Sequence, residues 1–237
     1  MFQLLDRKNG ISEYPVAASE DIRNFLADNG INEKMLCIPD NMYIWATMNS
    51  ADQGVFPMDT AFKRRWEFEY IDVDHDEKKI KNYLIPINDS SDKTEINFVR
   101  WNALRRRINA KLTNLEINED KLMGPFFLNL SKLEELKSML SGIESLVVKN
   151  EDYAEDDNEK NPKVFSVITN SISENQKNAI ESFRSAFCGK VLMYLFEDAA
   201  KMRKPKLFNT EKIGQMRFSN ICNKFAAIGL DIFDFTK

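Results

Sequence analysis

Several residue types and patterns are scarce or absent in this chain of 237 residues. Its one histidine, His75, excludes zinc sites built from several histidines. The three cysteines, Cys37, Cys188 and Cys222, are odd in number and far apart, so we expect buried thiols in a reducing compartment. No run of about 20 apolar residues and no signal-peptide h-region is present. We therefore expect a cytoplasmic protein that has no membrane partner.

Two motifs of nucleotide hydrolysis are also missing from the sequence. It contains no G-x-x-x-x-G-K-[ST] loop, whose backbone amides and lysine hold phosphates, and no apolar strand that ends in an Asp-Glu pair. We therefore expect the isolated chain not to bind a nucleotide tightly, and the residues leave open whether it is an enzyme. The net charge of −4 gives no overall attraction to nucleic acid, although a local basic face is not excluded.

What the chain does contain is enough apolar material for a core, with 43% hydrophobic residues and 17 phenylalanines. The near-continuous apolar run Met42–Met48 predicts a strand buried on both faces, and it stops at the polar Asn49. A short helical segment then ends on the paired arginines Arg64 and Arg65, and Trp66–Val73 predicts a second strand. In open α/β sheets, ligands bind beyond the carboxyl ends of strands, which is where this pattern places Asn49.

The segment that holds these features resembles part of the McrB-type AAA+ NTPases, the GTP- or ATP-driven motors of modification-dependent restriction systems. The residues that carry the resemblance are MYIWATMNSADQGVFPMDTAFKRRWEF, which match the family's sensor 1 and arginine-finger segment. Lys63 and Trp66 stand where the family usually has arginine and phenylalanine. The amino-terminal MFQLLDRKNGISEYPV resembles the helix and loop after the Walker B strand, and EDKLMGPFFL resembles a motif of the helical lid. These patches cover about half of the chain.

The resemblance implies roles for five residues of this sequence. Asn49 would be the sensor 1 asparagine, and Arg64 and Arg65 would supply the arginine finger, which makes these three the implied catalytic residues. Asp52 and Asp59 match acids of two further motifs and would belong to the nucleotide-binding site. From the residues alone, Asn49 could equally cap a turn after a strand, and the arginines could balance the dipole of a helix.

The resemblance also implies a fold class, an α/β remnant followed by an all-α region, mostly helical overall. Residues 1–74 would be the carboxy-terminal part of the AAA+ core, with its last two strands and the arginine-finger helix. Residues 75–237 would form a helical lid that has an acidic loop near 149–163. Because two strands cannot cover a strand that is buried on both faces, we expect an exposed sheet edge or an apolar face that a partner covers. The pattern of the first eight residues, which is typical of a helix already under way, suggests that residues were lost upstream.

Helical periodicity predicts the remaining elements. Helices are expected over residues 19–29, 76–84, 96–112, 131–140, 178–201 and from 210 onward, and Trp101, Leu104, Ile108 and Leu112 form the clearest apolar stripe. For three further motifs we favour a structural interpretation over a functional one. Arg105–Arg107 would be a solvated face and not a nucleic-acid patch, Asp72–Asp76 would bind no metal, and Gly124–Phe127 would be a structural turn.

Three function hypotheses follow, of which the third is a helical DNA-binding domain whose affinity would fall steeply with salt. In the first, the chain is the carboxy-terminal fragment of a McrB-like AAA+ NTPase in a DNA restriction system, inactive alone, and it completes a site with other AAA+ subunits of a ring. ATP or GTP with Mg²⁺ would bind only in a complete parent or in an assembled complex, and a McrC-like nuclease would couple the ring to DNA. In the second, the chain is a non-catalytic interaction module that binds an intact AAA+ subunit or a nuclease.

Overall fold

The computed structural model describes residues 2–32, 34–47, 59–91, 93–143 and 162–235. Contacts divide the chain into two compact units, Met1–Tyr70 and Ile71–Lys237. The boundary predicted from the sequence, between residues 74 and 75, lies four residues after this division. The predicted acidic loop near 149–163 lies mostly outside the described residues, and Asn49 and Asp52 lie wholly outside them.

The first unit consists of short elements. It begins with a 3₁₀ turn at Phe2–Leu5, and its further elements are β1 (Arg7–Lys8), β2 (Ile11–Ser12), β3 (Val16–Ala17), α1 (Glu20–Asp28), β4 (Met35–Leu36) and α2 (Thr60–Lys63). Strand β1 pairs with β2, and β3 pairs with β4, both antiparallel. Helix α1 begins where the sequence predicts, because the Ser19 hydroxyl accepts from the amide of Ile22 and acids occupy the first turn.

The turn between β1 and β2 explains why the predicted amino-terminal helix does not continue. Asn9 and Gly10 both have positive φ, 52° and 84°, which is the backbone of a two-residue hairpin turn. Asn-Gly is the dipeptide that adopts this conformation most readily, so the chain reverses here. The expectation of a helix that runs to Lys8 is therefore wrong beyond Leu5.

The two strands predicted in this unit are not observed as strands. The structure assigns no regular element to residues 42–47 or 66–72, and the side chains of Tyr43 and Trp45 are 77% and 89% exposed. A strand needs a neighbour to satisfy its backbone amides and carbonyls, and the described residues offer none to either segment. The prediction of a buried strand at residues 42–47 is therefore wrong for this chain, whereas the AAA+ fold class itself stays a prediction.

The second unit contains the remaining regular elements. These are β5 (Leu84–Asp89), β6 (Glu95–Arg100), α3 (Trp101–Asn114), α4 (Leu130–Met139), β7 (Val164–Ile168), α5 (Glu174–Phe187), α6 (Lys204–Leu207), α7 (Thr210–Ile213) and α8 (Phe218–Ile228). Shorter 3₁₀ turns occupy Glu77–Ile80, Glu119–Lys121, Pro125–Phe127, Thr169–Ser171 and Gly229–Ile232. Among the described helices of the chain, none has both the length and the apolar character to cross a membrane.

The sheet of this unit departs from the all-helical expectation. Its strands follow the order β5-β6-β7, and both neighbouring pairs are antiparallel. Residues 96–100, predicted as the start of a helix, belong to β6, where Ile96 and Phe98 are buried and Asn97 between them is not. Pro86 lies in β5, an edge strand, where a missing amide proton is tolerated. The helix predicted over residues 76–84 is reduced to one 3₁₀ turn.

Helix α3 packs the predicted apolar stripe into the core of the second unit. Trp101, Leu104, Ile108 and Leu112 are all completely buried. The Trp101 ring meets Phe187 of α5 edge-on at 6.2 Å, and Phe187 stacks on Phe225 of α8 at 5.1 Å between ring centroids. This aromatic chain joins three helices around one cluster, so α3, α5 and α8 share a single core.

Helix α5 begins earlier than predicted and continues in an unusual form. The Ser173 hydroxyl accepts from the Gln176 amide, and the Gln176 side chain accepts from the Ser173 amide, which is a complete capping box. Beyond Phe187 the helix widens into two π-helical turns, Cys188–Leu192 and Leu195–Ala199. Helix α4 begins one residue before its predicted start at 131, because the Asn129 side chain caps it by accepting from the Ser131 amide.

Candidate functional site

Three of the five predicted site residues lie on or beside the single turn of α2. Asp59 precedes the helix, and its carboxylate accepts a 3.2 Å hydrogen bond from the Ala61 amide. Asp59 is therefore the amino-terminal cap of α2, a role that an aspartate fills because its oxygen replaces the missing carbonyl partner. Asn49 and Asp52 fall outside the described residues, so their position relative to α2 stays a prediction.

Arg65 is held by groups of its own unit. Its guanidinium donates to Asp6 Oδ2 at 2.7 Å and to the Ala61 carbonyl at 2.6 Å. The side chain is only 22% exposed, and its Nε is buried without an acceptor among the described residues. The Arg65–Asp6 contact joins the end of α2 to the residue that follows the first 3₁₀ turn. Arg65 is thus committed to the local structure of the first unit.

Arg64 has a different environment although it is the adjacent residue. Its backbone closes α2 through a hydrogen bond from its amide to the Thr60 carbonyl. Its side chain is exposed and makes no hydrogen bond or ion pair with any residue that the structure describes. A guanidinium is always charged and presents planar donors that match phosphate and carboxylate oxygens. Of the two predicted finger residues, Arg64 is the one available to an external anion.

An aromatic pair supports the base of this site. Phe62 and Trp66 lie with ring centroids 5.7 Å apart, and both are half-buried. The indole Nε1 of Trp66 is buried and has no acceptor within the described part of the chain. Buried donors in folded proteins are nearly always paired. Trp66 and Arg65 therefore each offer an unused donor at the end of α2.

A second cluster of charges surrounds Arg105 in the second unit. The Arg105 side chain is completely buried, with Asp74 at 2.6 Å and Glu77 at 3.0 Å from its terminal nitrogens. It also donates to Asn102 and to the Met123 carbonyl. Arg106 pairs with Glu77 as well. The expectation that Arg105–Arg107 form a solvated face is wrong for Arg105, because acids from the preceding turn neutralise it inside the fold.

The pKa of Glu77 reflects this cluster. Burial alone would raise it, but hydrogen bonds from Arg106 and Asn102 and the charges of Arg106 and Arg105 outweigh burial and lower the pKa below its ordinary value. Each oxygen of the carboxylate is engaged by an arginine. Glu77 therefore works as a structural anion that holds α3 against the turn before β5.

The predicted lid motif at Gly124–Phe127 is a backbone segment held by α3. The Asn109 amide group exchanges two 2.9 Å hydrogen bonds with the backbone of Met123, and the Trp101 indole donates to the Pro125 carbonyl at 3.0 Å. Phe127 packs on Tyr194 with ring centroids 4.8 Å apart. The structural interpretation of this motif agrees with these contacts.

The thiols and the histidine do not form a reactive or metal-binding site among the described residues. Cys37 is exposed, contrary to the expectation of buried thiols, whereas Cys188 and Cys222 are half-buried and contact each other. Burial and the neighbouring Cys222 raise the pKa of Cys188 to about 12. His75 is exposed and lies 4.0 Å from Asp76. Within the described ranges, no group of three or more potential metal ligands comes together.

Comparison with known proteins places a restriction-enzyme component among the relatives of this chain. Over 134 residues the chain is 49% identical to the type II restriction enzyme BsuMI component YdiS of Bacillus subtilis (strain 168). The matched region covers 56% of this chain and 38% of that relative, so the chain spans well under half of the relative's length. No protein-family model and no solved structure matches the chain.

Proposed function

We propose that this chain acts in a DNA restriction system as the carboxy-terminal part of a McrB-like AAA+ NTPase component. It is inactive alone, and Asn49 serves as sensor 1 in an assembled site where ATP or GTP is bound with Mg²⁺. Arg64 supplies the guanidinium that reaches the nucleotide of a neighbouring subunit. Arg65, which the sequence pairs with it, positions α2.

The observation that carries the nucleotide part of this proposal is the contrast between two adjacent arginines. Arg65 is bound to Asp6 and to the Ala61 carbonyl, whereas Arg64 has no partner among the described residues and projects from a capped helix turn. An arginine that stabilises phosphoryl transfer in a neighbouring subunit has to be free before assembly. The relation to YdiS supports the restriction context.

Complementation in trans tests the proposal. A McrB-like subunit that has an intact phosphate loop, but alanine in place of its own finger, is mixed with this chain in the presence of Mg²⁺ and either ATP or GTP. We expect the chain to restore hydrolysis, and we expect Arg64→Ala to remove most of that gain, since an arginine finger contributes roughly 10³-fold or more. Calorimetry of the isolated chain with either nucleotide should show no binding.

Arg23→Ala is the matched control, because it removes an exposed arginine side chain of the same unit from outside the motif. It should leave the restored hydrolysis within about twofold of wild type. Arg65→Ala should lower the stability of the first unit as well as hydrolysis. Equal hydrolysis by wild type and Arg64→Ala, with binding to the subunit retained, contradicts the finger assignment.

A second candidate function is favoured by the exposed aromatic residues of the first unit. Tyr43, Trp45, Phe68 and Tyr70 are between 58% and 89% exposed. An interaction module that binds an intact AAA+ subunit or a McrC-like nuclease would bury such side chains. In that case Trp45→Ala weakens co-purification with the partner, while Arg64→Ala changes neither binding nor the partner's hydrolysis.

A further inference from the structure

The densest group of cations in the chain follows the π-helical turns and continues into α6. Residues 201–206, here called the basic turn, read Lys-Met-Arg-Lys-Pro-Lys, so four of six residues are cationic in a chain whose net charge is −4. The charge of the chain is therefore unevenly distributed, and this segment is a local exception to the acidic whole.

The basic turn has a defined backbone. Ala200 before it and Leu207 and Phe208 after it are completely buried, which anchors both of its ends in the core. Within it, the Arg203 amide donates to the Ala200 carbonyl at 2.8 Å, and the Lys206 amide donates to the Arg203 carbonyl at 2.9 Å. The cations are thus presented from a fixed turn, which lowers the entropy cost of binding a partner.

Neutralisation of these cations inside the chain is incomplete. Lys201 and Lys206 are exposed and pair with no residue that the structure describes. Arg203 and Lys204 each lie 3.8 Å from one carboxylate, Glu116 and Glu197, which is beyond hydrogen-bond distance. The exposed Arg203–Glu116 pair contributes little and exchanges readily for a stronger anion. Lys204 is more confined, because its side chain is only 21% exposed and its ammonium lies 3.5 Å from the centroid of the Phe196 ring.

One apolar side chain is exposed among the cations. Met202 is 87% exposed, more than any other large hydrophobic that the structure describes in the second unit. Long flexible thioether side chains adapt to irregular surfaces, and methionine is among the residues that proteins insert beside nucleic-acid bases and sugars. Cations flanking an apolar side chain match a polymer that alternates phosphate with sugar and base.

We propose that the basic turn binds the phosphate backbone of duplex DNA without regard to sequence. Lys201 and Lys206 contact phosphates, Arg203 reinforces them, and Met202 contacts the sugars between. The choice of DNA over another polyanion rests on the proposed role in a restriction system; the contact itself uses neither Arg64 nor a nucleotide.

Fluorescence anisotropy with a labelled duplex of about 30 base pairs, titrated at several salt concentrations from about 50 to about 200 mM, tests the proposal. For the full chain, log K should fall linearly with log salt. Lys201→Ala/Lys206→Ala should weaken binding at least tenfold at the lowest salt and reduce the slope by about 2, one for each lost phosphate contact. Met202→Ala should weaken binding and leave the slope unchanged.

Lys132→Ala/Lys177→Ala is the matched control, because it removes two cations of the same unit that are paired with Glu135 and Glu174. It should retain the wild-type slope. An equal loss in both double variants, a wild-type affinity that does not depend on salt, or binding to phosphatidylserine vesicles in place of DNA each overturns the proposal. Circular dichroism melting of every variant establishes that folding is retained.

Trans-complementation of nucleotide hydrolysis without DNA separates this inference from the function on which it rests. Lys201→Ala/Lys206→Ala should restore hydrolysis as wild type does, whereas Arg64→Ala should bind DNA normally. If the chain binds DNA through the basic turn and does not restore hydrolysis, the DNA contact stands and the NTPase assignment fails.

Discussion

The two units of this chain differ in how their helices are stabilised. Helix α1 of the first unit has a local cap without buried side chains, whereas helix α5 of the second unit has both. In the first unit, helix α1 has its Ser19 cap and its acidic first turn but buries no side chain, and Ala18 is the only buried apolar residue among those described there. In the second unit, helix α5 has a complete capping box and also buries Ile180 and Phe187. Capping determines where a helix begins, whereas burial supplies most of the energy that holds it.

The aromatic side chains of the two units also differ in burial. Phe187 and Phe225 stack on each other in the core, while Trp45 and Tyr70 are 89% and 71% exposed. The first unit buries few of its apolar side chains among the described residues, and its aromatic pair Phe62 and Trp66 is only half-buried. Its apolar side chains therefore carry the capacity for association, and those of the second unit carry its stability.

The largest expected difference between the units is in the free energy of unfolding when one leucine of each is replaced by alanine. Leu104→Ala, at a completely buried site in α3, should lower the free energy of unfolding by about 3 to 5 kcal/mol, since it removes apolar contacts and leaves a cavity. Leu26→Ala, in a helix with no buried residue, should cost less than about 1 kcal/mol. Urea denaturation measures both. Equal losses would remove the energetic distinction between the units.

Next in size is a backbone prediction within the second unit. Gly229 has a φ of +57°, and a Cβ there would meet the Asn88 side chain, with Cγ at 2.8 Å. Gly229→Ala should therefore destabilise by about 2 to 3 kcal/mol, from backbone strain and crowding together. In an Asn88→Ala background the same change should cost only about 1 kcal/mol, from strain alone. Urea denaturation measures both losses. If Gly229→Ala lowers the free energy of unfolding equally in both backgrounds, the contact with Asn88 does not contribute.

A smaller effect depends on pH and tests the Arg105 cluster. Because the pKa of Glu77 is lowered from its ordinary value of 4.5, its contribution to stability is complete above that pH and is lost as the pH falls through the folded-state pKa. Glu77→Gln should cost about 1 to 2 kcal/mol at neutral pH, and the difference from wild type should shrink in acid. Denaturation curves at a series of pH values measure it, and a difference that stays constant into acid contradicts the assignment.

The smallest effect compares the two helix caps. Ser173→Ala should lower the global free energy of unfolding by about 1 kcal/mol, because α5 is part of the core that unfolds cooperatively. Ser19→Ala should leave global unfolding unchanged and accelerate amide hydrogen exchange only within α1. Hydrogen exchange followed by mass spectrometry distinguishes the two outcomes. Global destabilisation by Ser19→Ala would mean that α1 unfolds together with a core.

Sequence patterns predicted best where periodicity and burial agree. The stripe Trp101, Leu104, Ile108 and Leu112 is buried as expected, and α1 begins at the predicted cap Ser19. Helix α5 begins before its predicted start at residue 178, because its cap Ser173 was not predicted. The strand β6 could have been found, because Ile96 and Phe98 alternate with polar neighbours, a pattern with period two that ends where the helical stripe begins. The dipeptide Asn9-Gly10 is likewise typical of a hairpin turn, which argues against the helix predicted up to Lys8.

Other features depend on partners that are distant in the sequence. Nothing local indicates that Arg105 is buried while Arg106 is half-exposed, since that outcome requires Asp74 and Glu77 on a separate turn. The difference between Arg64 and Arg65 similarly depends on Asp6, which is 59 positions away. The sequence motif therefore identifies a pair of arginines as candidates. Tertiary contacts then distinguish Arg65, which is bound to Asp6, from Arg64, which has no side-chain partner among the described residues.

The two π-helical turns after Phe187 have a consequence for how this helix tolerates change in length. Buried residues occur there as adjacent pairs repeated every four positions, namely Val191 with Leu192, Leu195 with Phe196, and Ala199 with Ala200. In an ordinary α-helix a step of four residues advances about 40° past a full turn, so such pairs would spiral away from the core. The wider turns cancel that drift. Losing one residue within a wide turn would return that turn to ordinary α-helical geometry, and the buried pairs that remain would again drift by about 40° at each step of four residues.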